Sequence, residues 1–326
     1  MEYIIADASG EMAKILYGDI LEEDNFHLID KNNLFQSRFI QWFCMLNISL
    51  KANKYFRMPL KNFFYRRIFG KFKDSKNLCF YIGVFWYDKD LIKYLKQKYP
   101  SAFFVFVFHD TVESKKQIFP GLEMAQMKEE FHEIYTYSIL DAEKYNLQYM
   151  PDMYSKISSG EIIPFPEYDV VFIGAAKDRL SLLIQIYDKL AQSGLDCWFY
   201  IVGAEKAEQV FREGIVYSDK YLPFSEVLSR QISSRCLLEV TQKGCVDATL
   251  RFWDAVMYNK KIITNCSAVT KYKYYNPEYV NLFSDVSEID VNLIKKVVPV
   301  DYQYEGDLSP KKCFETIRER LINEDC

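Results

Sequence analysis

The sequence predicts an α/β protein of two Rossmann-like, doubly wound domains facing a cleft. Three observations carry that prediction. Short apolar runs rich in Val, Ile, Phe and Tyr recur along the chain, the pattern of parallel strands covered on both faces. Helical patterns separate them, which implies right-handed crossovers between parallel strands. The series is interrupted once, by SSGEIIPFPEY, a Pro-containing linker. The predicted domains are therefore 1–157 and 168–308, with a final helix in 309–326. A length of 326 residues agrees with about two domains, each able to bury its own core.

In the first half the predicted strands are 3–6, 27–29, 78–86, 103–108 and 133–137. In the second they are 170–174, 197–202, 214–217, 236–240, 261–264 and 280–283. Helices are expected at 89–98 and at 179–192, the latter capped by Asp178 and stopped by Gly194. Ser309 and Pro310 read as N-cap and first residue of a last helix running to about Ile322.

Composition narrows the class. The formal net charge of −4 argues against bulk nucleic-acid binding. The 8 cysteines form no CxxC pair, and several sit in apolar runs, so buried free thiols in a reducing compartment are expected rather than disulfides or zinc sites. The opening MEYIIADASGE carries acids where a signal peptide needs a basic region. No apolar run approaches the ~18 residues of a spanning helix. The expected location is cytoplasmic, peripheral at the inner face of the cell membrane. Aromatics reach 17%, which fits ring stacking on sugars and a core-filling role equally.

Ligands of open α/β sheets bind beyond the carboxyl ends of the strands, so residues there are the candidates. Gly174 in FIGAAKDRL lets a ligand approach the backbone, and Lys177 and Arg179 stand beside a helix start that suits a diphosphate. Without a GxGxxG fingerprint a NAD enzyme is not expected. Tyr217 and Tyr221 suit the flank of a base or, equally, the core. Glu239 sits inside an apolar strand and needs a partner. Beyond it come Gly244 and a helix bearing Thr249, Arg251 and Asp254: an N-terminal hydroxyl, a bidentate phosphate ligand and an acceptor for sugar hydroxyls. The same spacing also makes an ordinary amphipathic helix with an Arg–Asp surface pair. In the first half, His109 and Asp110 follow FFVFVF and form an acid/base candidate, with Asp7 after the first strand as the rival. Alternatively, Asp110 caps the following segment.

The motif Arg251-Phe-Trp-Asp254-Ala255, followed by Lys260-Lys-Ile-Ile-Thr264-Asn265 and Tyr274-Tyr-Asn276-Pro277, resembles the donor-binding domain of bacterial glycosyltransferases of the GT-B architecture. Those of lipopolysaccharide or capsular polysaccharide assembly are the type it resembles, with aspartate at 254 where their R-x-x-E-A sequence has glutamate. The segment from Phe131 to Tyr154, with Asp141 opening a short helix, resembles the end of their acceptor domain. The resemblance spans about 131–283, and residues 1–100 match in pattern only. It implies transfer of a sugar from a nucleotide-activated donor to a lipid-linked or core oligosaccharide acceptor. Neither a cofactor nor a metal is required, because cations and helix N-termini serve the leaving diphosphate. A non-catalytic sugar- or nucleotide-binding protein and a sugar-nucleotide epimerase are the competing readings.

One segment stands apart. Residues 51–73 carry eight Lys or Arg, seven aromatics and no acid. Basic and aromatic residues so interleaved fit an element lying on an anionic membrane, with Phe56, Phe63, Phe64 and Phe69 as inserting side chains. A solvated helix packed by its aromatics is the plainer alternative, and single-stranded nucleic acid ranks last.

Overall fold

Nearly every predicted apolar run forms a parallel strand in the computed structural model, which describes residues 1–49, 52–53, 56, 58–119, 122–157, 161–242 and 247–324. Two units are formed: Met1–Lys156 with Gly306–Cys326, and Ile157–Glu305. Each is a Rossmann-like domain.

The first unit carries β1 (Glu2–Ala6), β2 (Phe26–Leu28), β3 (Leu78–Gly83), β4 (Phe103–Phe108), β5 (Glu133–Thr136) and β6 (Gln148–Tyr149). They pair in parallel in the order β2-β1-β3-β4-β5-β6. Strands β3 and β4 are buried along their whole length, as continuous apolar runs require when helices cover both faces. Of the twelve largest fully buried side chains, eleven are Tyr or Phe of this unit, among them Phe80 stacked on Phe104 across neighbouring strands. The aromatic excess is thus largely a core property, each such ring contributing about 1.5–3 kcal/mol on burial. The helix Pro310–Glu324 packs on the same sheet: Phe314 meets Tyr3 and Tyr81, and Tyr3 donates to the Phe314 carbonyl.

The second unit carries β7 (Val170–Ala175), β8 (Cys197–Val202), β9 (Ile215–Ser218), β10 (Cys236–Glu239), β11 (Lys261–Thr264) and β12 (Val280–Leu282) in the order β12-β11-β10-β7-β8-β9. Numbered within the unit this is 3-2-1-4-5-6, the classical dinucleotide-fold order read from the opposite edge. Its order reverses between β7 and β10, and that of the first unit between β1 and β3. Crevices for ligands open at such reversals.

Three differences from expectation have local causes. The run 78–86 stops as a strand at Gly83, and Val84–Trp86 turn into a 3-10 helix. Asp178 does not cap the next helix, because Lys177–Arg179 already form a 3-10 turn leading into Leu180–Gln192. The two-residue β6 has no apolar run of its own to announce it. As expected, Gly194 takes a positive φ of 75° just past that helix. The six described cysteines are buried and form no disulfide with one another.

Candidate functional site

Two clusters occupy the strand-order reversals, one in each unit. In the first unit β1 and β4 flank β3, and Gly83 at the end of β3 offers bare backbone. A Cβ at Gly83 would lie 1.6 Å from Asp7 Oδ1, so Asp7 occupies the volume a side chain there would need. Asp7 Oδ2 accepts from Tyr17 Oη at 2.5 Å and faces His109 Nε2 at 2.8 Å. The other ring nitrogen, Nδ1, faces Asp152 Oδ1 at 2.6 Å. With a carboxylate on each nitrogen, only the imidazolium can donate to both. Burial opposes that charge, but Asp7 and Asp152 outweigh it and hold the His109 pKa well above the ordinary imidazole range. Burial likewise acts to raise Asp7, whose pKa the His109 charge and bonds nevertheless bring below the usual value.

Asp110 has other partners. It accepts from Thr111 N at 2.8 Å and Ser114 Oγ at 3.1 Å, and pairs with Lys115 Nζ at 3.1 Å. Partial burial works against ionisation, but the Lys115 bond and the Thr111 amide keep this carboxyl low. The geometry thus joins His109 to Asp7 and separates it from Asp110. Lys31 lies nearby and donates to the Phe85 carbonyl at 2.6 Å; burial lowers its pKa to about 8, with Asp7 acting in the opposite direction. Asp141 serves architecture, accepting the Val112 amide at 2.7 Å.

In the second unit two guanidinium groups converge on Gly174 in β7. A Cβ there would stand 3.4 Å from Arg179 Nη2 and 3.5 Å from Arg251 Nη2. Both guanidiniums also lie over the Phe172 ring, 5.4 and 5.1 Å from its centroid. Arg251 Nη2 donates to the Ile173 carbonyl at 2.5 Å, and Arg179 donates to the carbonyls of Ala175 and Val240. Arg251 Nε is buried without a partner. Burial disfavours the charge on Arg251, while Glu239 and Asp254 favour it.

Glu239, fully buried at the end of β10, solves its own desolvation problem. Oε1 accepts from Thr249 N at 2.8 Å and Thr249 Oγ1 at 2.6 Å, and Oε2 accepts from Thr264 Oγ1 at 2.5 Å. Thr249 in turn accepts from the Arg251 amide at 3.3 Å, capping the helix Leu250–Met257. This network aims the helix start that carries Arg251. The Thr249 hydroxyl proton therefore goes to Glu239 rather than outward. Asp254 is 3% exposed, and Lys177 is exposed with a positive φ of 45°. Tyr217 Oη bonds to the backbone of Val210, which ties down the preceding loop. Tyr221 is exposed, and Gly244 lies outside the described residues.

Sequence reasoning missed Tyr17, Gly83 and Asp152. A glycine ending a strand was a readable signal for Gly83, whereas nothing local marks the other two. No protein-family model and no curated protein matches the chain. Solved structures do. The chain is similar to an α-glucosyltransferase in complex with UDP and a 13-mer DNA containing a central A:G mismatch, at 12% identity and TM-score 0.59 over 99% of this chain and 100% of that one. It is similar to the N-terminal domain of Candida albicans trehalose-6-phosphate phosphatase, at 10% identity and TM-score 0.55 over 99% and 90%. A UDP-forming α,α-trehalose-phosphate synthase from Burkholderia xenovorans gives 10% identity and TM-score 0.53 over 99% of each chain. At such identities the likeness is one of fold, and the fold is the GT-B architecture of two Rossmann-like domains.

Proposed function

We propose that the protein is a glycosyltransferase that takes a UDP-activated sugar and transfers it with retention of configuration. The observation that carries this reading is the pair of guanidiniums meeting over the bare Cα of Gly174, at the strand-order reversal of the second unit. Arg179 and Arg251 there suit the two phosphates of a leaving nucleoside diphosphate, with Lys177 as a further cation. UDP is favoured because the similar α-glucosyltransferase holds UDP and the similar synthase forms it. Asp254 remains the candidate for ribose or sugar hydroxyls.

The protonation states favour retention. Inverting transfer needs an acceptor-side base, whereas retaining transfer need not use one. His109 already carries its proton between two carboxylates, and the pKa values of Asp7 and Asp110 are both lowered, which weakens them as bases. His109 then serves as a fixed positive charge and hydrogen-bond donor in the first unit. For the acceptor we favour a lipid-linked or core oligosaccharide of surface polysaccharide synthesis, held at the inner face of the membrane. The acid-free basic segment at 51–73 supports that placement, and no helix of the described residues is long and apolar enough to cross a membrane.

Calorimetry tests the donor site. Arg251→Ala should weaken UDP binding by about 1.5–3 kcal/mol, the range for hydrogen bonds to a charged group. Arg251→Lys, which keeps the charge but loses the fork, should fall between the two. Unchanged affinity in both variants would remove Arg251 from the site. Proton NMR of the product made from a UDP-α-sugar tests the stereochemistry, and a β-linked product overturns retention.

A further inference from the structure

We propose that the helix Arg38–Ile48, with Phe63 beside it, is the element that enters an anionic lipid surface. This rests on the membrane reading above but adds to the exposed rings of 51–73 the preceding helix as the main inserting element. Phe64 and Phe69, expected to insert, belong to the core at 3% and 0% exposure. Phe56 and Phe63, the other two expected to insert, are 77% and 59% exposed, and further outward apolar groups lie on the preceding helix. Phe39, Trp42 and Leu46, at i, i+3 and i+7 of one helix face, are 72%, 59% and 38% exposed. Cys44 and Ile48, on the opposite face, are buried. The helix therefore has two apolar faces, where one packed against a single core needs one. Phe63, 59% exposed, extends the patch from the helix Lys61–Phe69, which packs against it. Seven of the eighteen exposed large hydrophobic side chains among the described residues fall between Phe39 and Phe63, so the patch is a concentration and not background.

Charge identifies the occupant. From Lys31 to Lys73 the chain carries ten Lys or Arg and no Asp or Glu, in a protein whose formal net charge is −4. Lys61 is neutralised by Asp88 and Asp90, but Arg38, Arg66, Arg67, Lys71 and Lys73 are exposed. Arg66 shares the exposed face of its helix with Phe63. It also lines, with Gly70, Tyr94, Gln97 and Lys98, a depression of about 480 Å³ suited to a phosphate headgroup. Exposed rings on a stretch of chain rich in cations and without an acid of its own match a bilayer interface carrying anionic lipid, where each cation adds about 1 kcal/mol. Ser37 already caps the helix through the Ile40 amide, so it is formed before it docks.

Trp42 is its own reporter, because the other three tryptophans are not exposed. The full chain should pellet with phosphatidylglycerol-containing vesicles and not with pure phosphatidylcholine. Its fluorescence should shift to the blue and be quenched by acyl-chain-brominated lipid. Phe39→Ser with Trp42→Ser and Leu46→Ser should reduce vesicle binding by about tenfold or more, and removing exposed side chains should leave UDP binding intact. Arg66→Glu, Arg67→Glu, Lys71→Glu and Lys73→Glu together should abolish binding at low salt. If the apolar variant pellets like the parent while the charge variant does not, the helix does not insert and only the electrostatic membrane reading survives. If the parent never pellets, or neither variant changes binding, both readings fall. Retention on single-stranded DNA in place of vesicles would reassign the surface.

Discussion

Replacing His109 with alanine should destabilise the first unit by about 3–5 kcal/mol, the usual effect of stripping one partner from a buried ion pair. The reason is Asp7. Its side chain is 2% exposed, and without the imidazolium the carboxylate keeps only the Tyr17 hydroxyl as a side-chain partner. Asp7→Asn added to the alanine variant should recover part of the loss, since it removes the stranded charge. Asp110→Asn should cost no more than about 1 kcal/mol, because its pairing with Lys115 is 41% exposed on the acid side. The effect has a pH signature. The His109 pKa is raised on folding, so its share of stability is complete below the unfolded value near 6.5 and is lost as pH rises through the folded value. The Asp7 pKa is lowered, so its share is complete above 3.8 and is lost as pH falls through the folded value. The gap in urea midpoint between parent and alanine variant should therefore be widest between those two values and narrow toward alkaline pH. A gap that is independent of pH, or that widens in alkali, would mean that His109 is not held as an imidazolium.

The pairing of His109 with Asp7 was only half readable in the sequence. Strands β4 and β11 match their predicted spans because runs buried on both faces leave little choice of boundary, and β8 matches too, with one face half-buried at Trp198 and Tyr200. The partner of His109 is a different kind of fact. Asp110 is adjacent in sequence, but successive side chains at a strand end leave in opposite directions. Asp7 becomes a neighbour only through the strand order, which sets β1 and β4 on either side of β3, with Ala6 opposite Ile82 and Gly83 opposite Val107. Sheet order is not written in any local pattern. The basic segment shows the same limit. Its composition was plain, but which rings face outward depends on how Lys61–Phe69 rolls against the core, and that roll buries Phe64, Tyr65, Ile68 and Phe69. The donor side read better, because a residue's place at a strand end or helix start can be inferred locally. Arg179 and Arg251 were both singled out, though not the Phe172 ring they share.

Gly83→Ala should be among the most damaging single-methyl changes available to this protein. The added Cβ would lie 1.6 Å from Asp7 Oδ1, 2.6 Å from its Cγ and 3.1 Å from its Cβ, distances no relaxation of the methyl alone can relieve. Backbone conformation is not the obstacle, since Gly83 has an extended φ of −87° that alanine adopts freely. The whole cost must come from Asp7. Its carboxylate is pinned by Tyr17 and His109, so yielding to the methyl means breaking a buried charged network as well as overpacking the end of β3. Together these predict a loss of about 3 kcal/mol or more. A double-mutant cycle isolates the cause. In an Asp7→Ala background only the 3.1 Å approach to the Cβ of residue 7 remains, and Gly83→Ala should then cost no more than about 1 kcal/mol beyond Asp7→Ala alone. Denaturant unfolding of the four proteins measures the coupling. If the alanine costs as much with Asp7 removed as with it present, the two residues do not share that volume and the cluster is not built over Gly83.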